Sequence, residues 1–346
     1  MRGLPKAELH IHIEGTLEPS LQFALARKHG IQLPYTIEEL MQKRRDFANL
    51  QEFLDLYYAG CDVLRTEEDF YALCEEYLQR AVRDGVKYAE IFFDPQTHTT
   101  RGISFSTIIT GLSRAIEAYR DTIEAKLILS FLRHLSEESA LEIVEQARPY
   151  AHLIWGVGLD SGELGNPARK FKRAYEAAEK AGLCGPEGNN KTAHGGEEGD
   201  PSYVIEALVI LHARRIDHGV RSLEDPYLLQ VLRDNRIPLT VCPLSNHKLK
   251  VVERFLHGKD PVWLLHEAGL CISVNSDDPA YFGDYVAGTL GSTSATMIGS
   301  LRAKPLPEDE VRALAVTLAR NSFQSAFMSE DKRNHYLALL DAYIAA

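Results

Sequence analysis

Seven residues of this chain have types and spacings that suit metal-assisted hydrolysis: His10, His12, His194, Glu197, His218, Asp277 and Asp278. His10 and His12 stand two apart in "ELHIHIEG" (8–15), alternating with Leu9, Ile11 and Ile13. Residues two apart on a strand point to the same side. Two neutral imidazoles held together suit a borderline metal such as zinc. Taken alone, such a pair serves equally well as a metal site or as a structural pair. It is not alone: "AHGGEEG" (193–199) carries His194 and, three residues on, Glu197. "IDHGV" (216–220) carries His218, and "SVNSDDP" (273–279) carries Asp277 and Asp278. A single histidine at a strand end is usually structural or merely exposed. Four strand ends that all carry His or Asp make a constellation. His10, His12 and His194 offer three nitrogen ligands and Asp277 an oxygen, leaving a position for water. A metal that lowers the pKa of such a water to about 7 supplies hydroxide at neutral pH. Glu197 can shuttle a proton to the substrate, and His218 can hold or deprotonate the water. The side chain of Asp278 diverges from that of Asp277 and is free to contact substrate.

Strands and loops must bring these residues together. Eight short apolar runs recur, each followed by a polar, helix-like segment. They span 7–13, 87–93, 126–132, 153–159, 191–196, 214–220, 237–244 and 270–276. Near-continuous apolar strands separated by helices argue for a parallel sheet covered on both faces. Eight such units fit a (β/α)8 TIM barrel, an α/β fold whose sites lie at the C-terminal ends of the strands. An open doubly wound sheet is the alternative. The whole chain, 1–346, reads as one barrel domain. The crossover after the first strand is too long for one helix, so 20–84 forms a helical insertion. Within it Phe47, Leu50, Phe53, Leu54 and Tyr57 share one helical face. That stripe suits core packing or an apolar lid over the barrel mouth. "TEED" (66–69) and "SLED" (222–225) read as capping boxes, and Ser136 as a cap. The tail, 308–346, reads as two helices closing the barrel.

Composition narrows the function class. The chain has 346 residues, 45% hydrophobic and 25% charged, with a formal net charge of −11. An acidic chain without a basic block argues against nucleic-acid binding. No run approaches the length of a bilayer span, and the first residues lack the apolar core of a signal peptide. Cys61, Cys74, Cys184, Cys242 and Cys271 are odd in number and widely spaced. They form neither a disulfide framework nor a zinc knuckle, and they suit a reducing cytoplasm. "HIE" (12–14) lacks the P-C-x-x-C of a cytidine-type deaminase. "HEAGLC" (266–271) lacks the second histidine of an HExxH zincin.

Together, "ELHIHIEGTLEP", "HGGEEG", "RIDHGV", "CPLSN" and "SVNSDDP" resemble the motifs of the adenosine/adenine deaminase family of the amidohydrolase superfamily, in the same order. The resemblance covers about 4–330. It implies one Zn2+ per chain on His10, His12, His194 and Asp277. It makes Glu197 the proton donor to the purine ring nitrogen beside the attacked carbon, His218 the residue that activates and orients the water, and Asp278 the acceptor for the purine N7 side. The implied reaction is hydrolytic removal of ammonia from C6. Two departures lean toward adenine rather than adenosine. Glu14 stands where adenosine-type members carry aspartate, and Glu163, in "GLDSGELGNP", stands where a small residue is usual. Glu14 and Glu163 are therefore expected to fill or read the space a ribose would take. Gly195 replaces the family's usual alanine. The expected partner is a small purine base, in a chain that can form homo-oligomers. N6-substituted adenines and adenosine are alternative substrates, and a non-catalytic binding protein on the same scaffold is a remote one.

Overall fold

Eight parallel strands and the connections between them account for the architecture of the computed structural model, which describes residues 1–292 and 307–346. The strands are β1 (Lys6–His12), β2 (Val86–Phe93), β3 (Glu124–Leu132), β4 (Ile154–Asp160), β5 (Thr192–Gly195), β6 (Arg215–His218), β7 (Leu239–Val241) and β8 (Ile272–Val274). Neighbours pair in parallel within two ladders, β1-β2-β3-β4 and β5-β6-β7-β8. Two single parallel bridges join the ladders, Val157 with Lys191 and Ile11 with Asp277. At the second seam His12 N–H donates to Asp277 O and Asp277 N–H donates to His10 O, both at 3.1 Å. The ring is closed, and the fold is a (β/α)8 barrel rather than an open sheet. Leu9, Ile11 and Ile13 are fully buried between β1 and the surrounding helices, so His10 and His12 turn to the lumen.

The later strands are shorter than their apolar runs. β6 stops at His218, which takes a left-handed backbone angle with φ 64°; β8 stops at Val274, and Asp277, three residues on, has the same φ. Non-glycine residues rarely adopt that conformation, and its cost is concentrated at functional sites.

Between β1 and β2 run α1 (Pro19–His29), α2 (Ile37–Lys43), α3 (Leu50–Gly60) and α4 (Glu67–Arg83). Phe47, Leu50, Phe53, Leu54 and Tyr57 are all buried. Phe53 packs its ring on Tyr281 and Phe282 at centroid distances of 5.4 and 4.8 Å, which ties α3 to the segment after β8. The helix Glu308–Ser325 lies across the β8–β1 seam, where Ser322 Oγ accepts from Ala7 N–H at 2.8 Å. Asn321 Nδ2 donates to Ile272 O at 3.0 Å on the same seam. The cap before Pro226 is Asp225, which accepts from the amides of Tyr227 and Leu228. Ser222 is not the cap, because residues Val220–Glu224 form a separate 3-10 turn. Among the described residues no helix is long and apolar enough to cross a membrane.

The start of α4 yields a stability prediction. Asp69 accepts from the amides of Thr66 and Arg65 at 2.8 and 2.9 Å, and from Lys28 Nζ and His29 Nε2 at 2.6 and 2.7 Å. Burial alone would raise this carboxyl, but the donors outweigh it and hold it at about 2, against an ordinary 3.8. A depressed carboxyl stabilises the folded chain fully above its unfolded pKa and loses that contribution as pH falls through the folded value. Asp69→Asn is expected to cost about 1–2 kcal/mol at neutral pH and to weaken the acid limb of a pH–stability curve. Identical acid limbs for the two proteins would refute this.

Candidate active site

The three metal-type histidines are oriented from behind. His10 Nδ1 faces Thr240 O and Oγ1 at 3.2 and 3.0 Å. His12 Nδ1 faces Asp160 Oδ2 at 3.4 Å, and His194 Nδ1 faces Asp217 Oδ2 at 3.6 Å. With every Nδ1 next to an acceptor, the proton belongs on Nδ1 and the Nε2 lone pairs point inward, the arrangement of metal-binding histidines. The inward atoms converge. His12 and His194 Nε2 are 3.2 Å apart, and Asp277 Oδ1 lies 3.2 Å from His10 Nε2 and 3.5 Å from His12 Nε2. Ligands placed tetrahedrally about 2.0–2.1 Å from a common zinc are separated by about 3.4 Å. Lone pairs facing one another at this distance repel unless a cation lies between them. His10 Nε2 is buried and has no hydrogen-bond partner. The donor set therefore fits a zinc-type ion. His218 lies close by, since one ligand atom each from His10, His194, His218 and Asp277 fall within 4.8 Å.

Asp217 anchors this arrangement. Its carboxylate accepts from Thr240 Oγ1 at 2.8 Å and from Thr192 Oγ1 at 2.7 Å. Burial works against its charge, but His194, His10 and Arg215 hold its carboxyl far below the usual range. On the far side of β5, Arg133 donates from Nη1 to His194 O at 2.8 Å.

The acid–base groups differ sharply in protonation. Burial, then the Asp277 charge, pushes Glu197 well above the ordinary carboxyl range, which favours its protonated form. Burial depresses His218, which is a neutral base. His218 Nε2 lies 3.7 Å from Glu197 Oε1 and 3.9 Å from Asp277 Oδ2. Asp277 is held ionised by the imidazoles around it, against the cost of burial. Asp278 is raised by burial and then by the neighbouring Asp277 charge, which favours its protonated form. Two adjacent aspartates are thus shifted in opposite directions, the pattern of tuned acid–base sites. A Cβ on Gly15 would sit 1.9 Å from Asp278 Oδ1, so only glycine leaves room for that carboxyl.

These groups open into a cavity of about 380 Å³. Its apolar wall comes from Leu50, Phe53, Leu54, Leu249 and Phe282, and Tyr57 and Tyr58 also face it. Two residues expected at the substrate stand elsewhere. Glu163 does not line the cavity: its carboxylate accepts the amides of Gly196, Glu197, Glu198 and Gly199 at 2.7, 3.0, 2.8 and 2.7 Å. No oxygen is left to read a sugar. Glu14 also lies behind the wall, where Oε1 accepts from Asp94 N–H at 3.2 Å and His98 Nε2 at 2.9 Å. In their place Asp94 and Asp160 face the cavity. Both close strands, in "FFDP" and "GLDS", and the strand-end rule that found His218 and Asp277 would have found them.

Comparison with known proteins agrees with this geometry. A family model described as adenosine deaminase matches residues 5–343. The adenine deaminase of Hahella chejuensis is 47% identical, with 99% of this chain and 98% of that protein covered. The adenine deaminase of Streptomyces coelicolor is 48% identical, with 98% and 96% covered. The crystal structure of an adenine deaminase from Arthrobacter aurescens superposes with a TM-score of 0.90 at 44% identity, covering 99% of this chain and 100% of that one. An amidohydrolase from Burkholderia ambifaria, crystallised with bound Zn, superposes with a TM-score of 0.84 at 25% identity, covering 99% and 91%. The chain belongs to the adenosine deaminase family.

Proposed function

We propose that this protein is a zinc-dependent adenine aminohydrolase, converting adenine and water to hypoxanthine and ammonia. The observation that carries the reading is the convergence of His10, His12, His194 and Asp277 at tetrahedral-edge distances, beside a buried Glu197. The names of the relatives at 47–48% identity support adenine as the substrate.

His10, His12, His194 and Asp277 would hold the zinc, which supplies Lewis-acid activation of water at neutral pH. His218, neutral and within reach of the same point, accepts a proton from the attacking water. Glu197 donates its proton to ring N1 as the bond to C6 forms, so the charge developing on the ring is neutralised where it arises. Asp278, whose carboxyl is raised by burial and the Asp277 charge, donates to N7 rather than accepting there, and fixes the base from the other side of C6. Collapse of the tetrahedral carbon, with the proton held by His218 passing to the exocyclic nitrogen and the hydroxyl proton returning to Glu197, releases ammonia and leaves the C6 carbonyl. The wall contributed by α3 excludes bulk water, and we assign 20–84 the role of a lid on a single barrel domain. The protein has five free cysteines, four of them buried, and we place it in the reducing cytoplasm.

The test is direct. Zinc-loaded protein is expected to form hypoxanthine from adenine and to act on adenosine and N6-isopentenyladenine slower by about 10²-fold or more. Exhaustive chelation should abolish turnover, and stoichiometric zinc should restore it. Preferred turnover of adenosine, or full activity without metal, would overturn the reading.

A further inference from the structure

Glu197, His218, Asp277 and Asp278 all stand on the β5–β8 half of the barrel. The β1–β4 half offers two carboxyls that the reaction does not use. Asp94 and Asp160 line the cavity and are each 2% exposed. Asp160 Oδ2 faces His12 Nδ1 at 3.4 Å, and its Oδ1 is buried without a hydrogen-bond partner. Asp94 is held from behind by a chain of contacts. Arg101 Nη2 donates to His98 Nδ1 at 2.8 Å, His98 Nε2 donates to Glu14 Oε1, and the same oxygen accepts Asp94 N–H. Tyr57 donates its hydroxyl to Asp94 Oδ2 at 3.4 Å. Asp94 Oδ1 is buried and has no partner. A buried carboxyl oxygen without a donor is costly. In a cavity wall it marks where a ligand supplies the donor.

The proposed pose identifies that donor. With C6 at the metal point, N1 at Glu197 and N7 at Asp278, the remaining polar edge of the base is N3 and N9. In the pose proposed, that edge takes the β1–β4 side of the cavity, where Asp94 lies. A free base carries a hydrogen on N9, and a nucleoside carries a carbon there. We propose that Asp94 Oδ1 accepts the N9–H of the bare purine and so selects a free base over its 9-substituted forms. This rests on the adenine reading above. A 9-substituted base brings no donor and leaves the carboxyl unpaired, the kind of mismatch by which polar sites discriminate most strongly. Glu14 then acts on specificity one step removed, by positioning Asp94.

The experiment compares adenine with 9-methyladenine in the zinc-loaded wild type, Asp94→Ala and Asp94→Asn, with zinc content measured for each. The wild type should prefer adenine by about 10²-fold or more. Asp94→Ala should lower kcat/KM for adenine by about 10–100-fold, with 9-methyladenine changed far less, so that discrimination collapses. Asp94→Asn keeps an accepting oxygen and should recover most of the loss. An equal loss on both substrates would reduce Asp94 to a structural role and overturn the proposal. So would release of a second zinc equivalent on substitution, which would make the carboxyl pair a cation site. A wild type that leaves adenine untouched would instead remove the functional reading beneath it.

Discussion

Glu197→Gln is expected to lower kcat for adenine by about 10³-fold while changing KM little, within the range for loss of a general acid. The argument rests on what the substitution preserves. Glutamine has nearly the same shape and still offers an N–H to ring N1, so base binding is kept. It has no ionisable proton to transfer, so the ring nitrogen stays unprotonated as C6 is attacked. Stability should hold or rise, because burial disfavours the charged carboxylate and glutamine carries no charge to bury. The pH profile carries the same information. A group that must be protonated to act supports turnover below its pKa and loses it as pH rises through that value. The wild-type rate should therefore fall on the alkaline side, and the variant should lack that limb. Zinc content is the control, since Glu197 is not among the residues assigned to the metal. A loss below about tenfold with the alkaline limb intact would move the acid role to another group, and Asp278 is the one to test next.

How much of this could be read from the sequence depends on which contacts alternation along a strand dictates. His10 and His12 were legible because a strand's two-residue period forces them to one side, and the buried Leu9 and Ile11 show which side is the lumen. Glu197, His218, Asp277 and Asp278 were legible because barrel sites gather at strand ends. The apolar face of α3 was legible from helical spacing, and Leu50, Phe53 and Leu54 line the cavity. Contacts between separate loops were not legible. Nothing local tells Glu163, after β4, that four amides after β5 will surround it. Glu14 follows the metal pair so closely that it reads as a pocket residue. The 3-10 turn Glu14–Thr16 places it instead beside Asp94 and His98. Asp217 was visible in "RIDHGV", but its role comes from Thr192, Thr240 and His194, on β5 and β7.

Glu163→Ala is expected to lower turnover of adenine by about 10²-fold, the cost of displacing a catalytic group by about 1 Å, and to lower stability by several kcal/mol. The carboxylate of Glu163 is the hub of the loop that carries Glu197. Four consecutive amides donate to it, all at 3.0 Å or less. Each buried donor left without an acceptor costs about 1–3 kcal/mol, so the loop will open to water rather than keep its shape. Glu197 goes with it, because its own N–H is one of the four. A Cβ on Gly199 would lie 2.8 Å from Glu163 Cδ, so the loop is also closed too tightly around the carboxylate for a larger residue to replace that glycine. Glu163→Gln should fall between the wild type and alanine: its amide oxygen still accepts, while its NH2 group faces N–H donors. Because both substrates need Glu197, the ratio of adenine to adenosine turnover should move by less than about threefold, while kcat falls for each. A Glu163 that reads the ribose space gives the opposite pattern, in which adenosine turnover rises, adenine kcat is kept and the ratio shifts at least tenfold. Measuring both substrates on both variants, with melting temperatures alongside, separates a residue that holds the acid in place from one that touches the substrate.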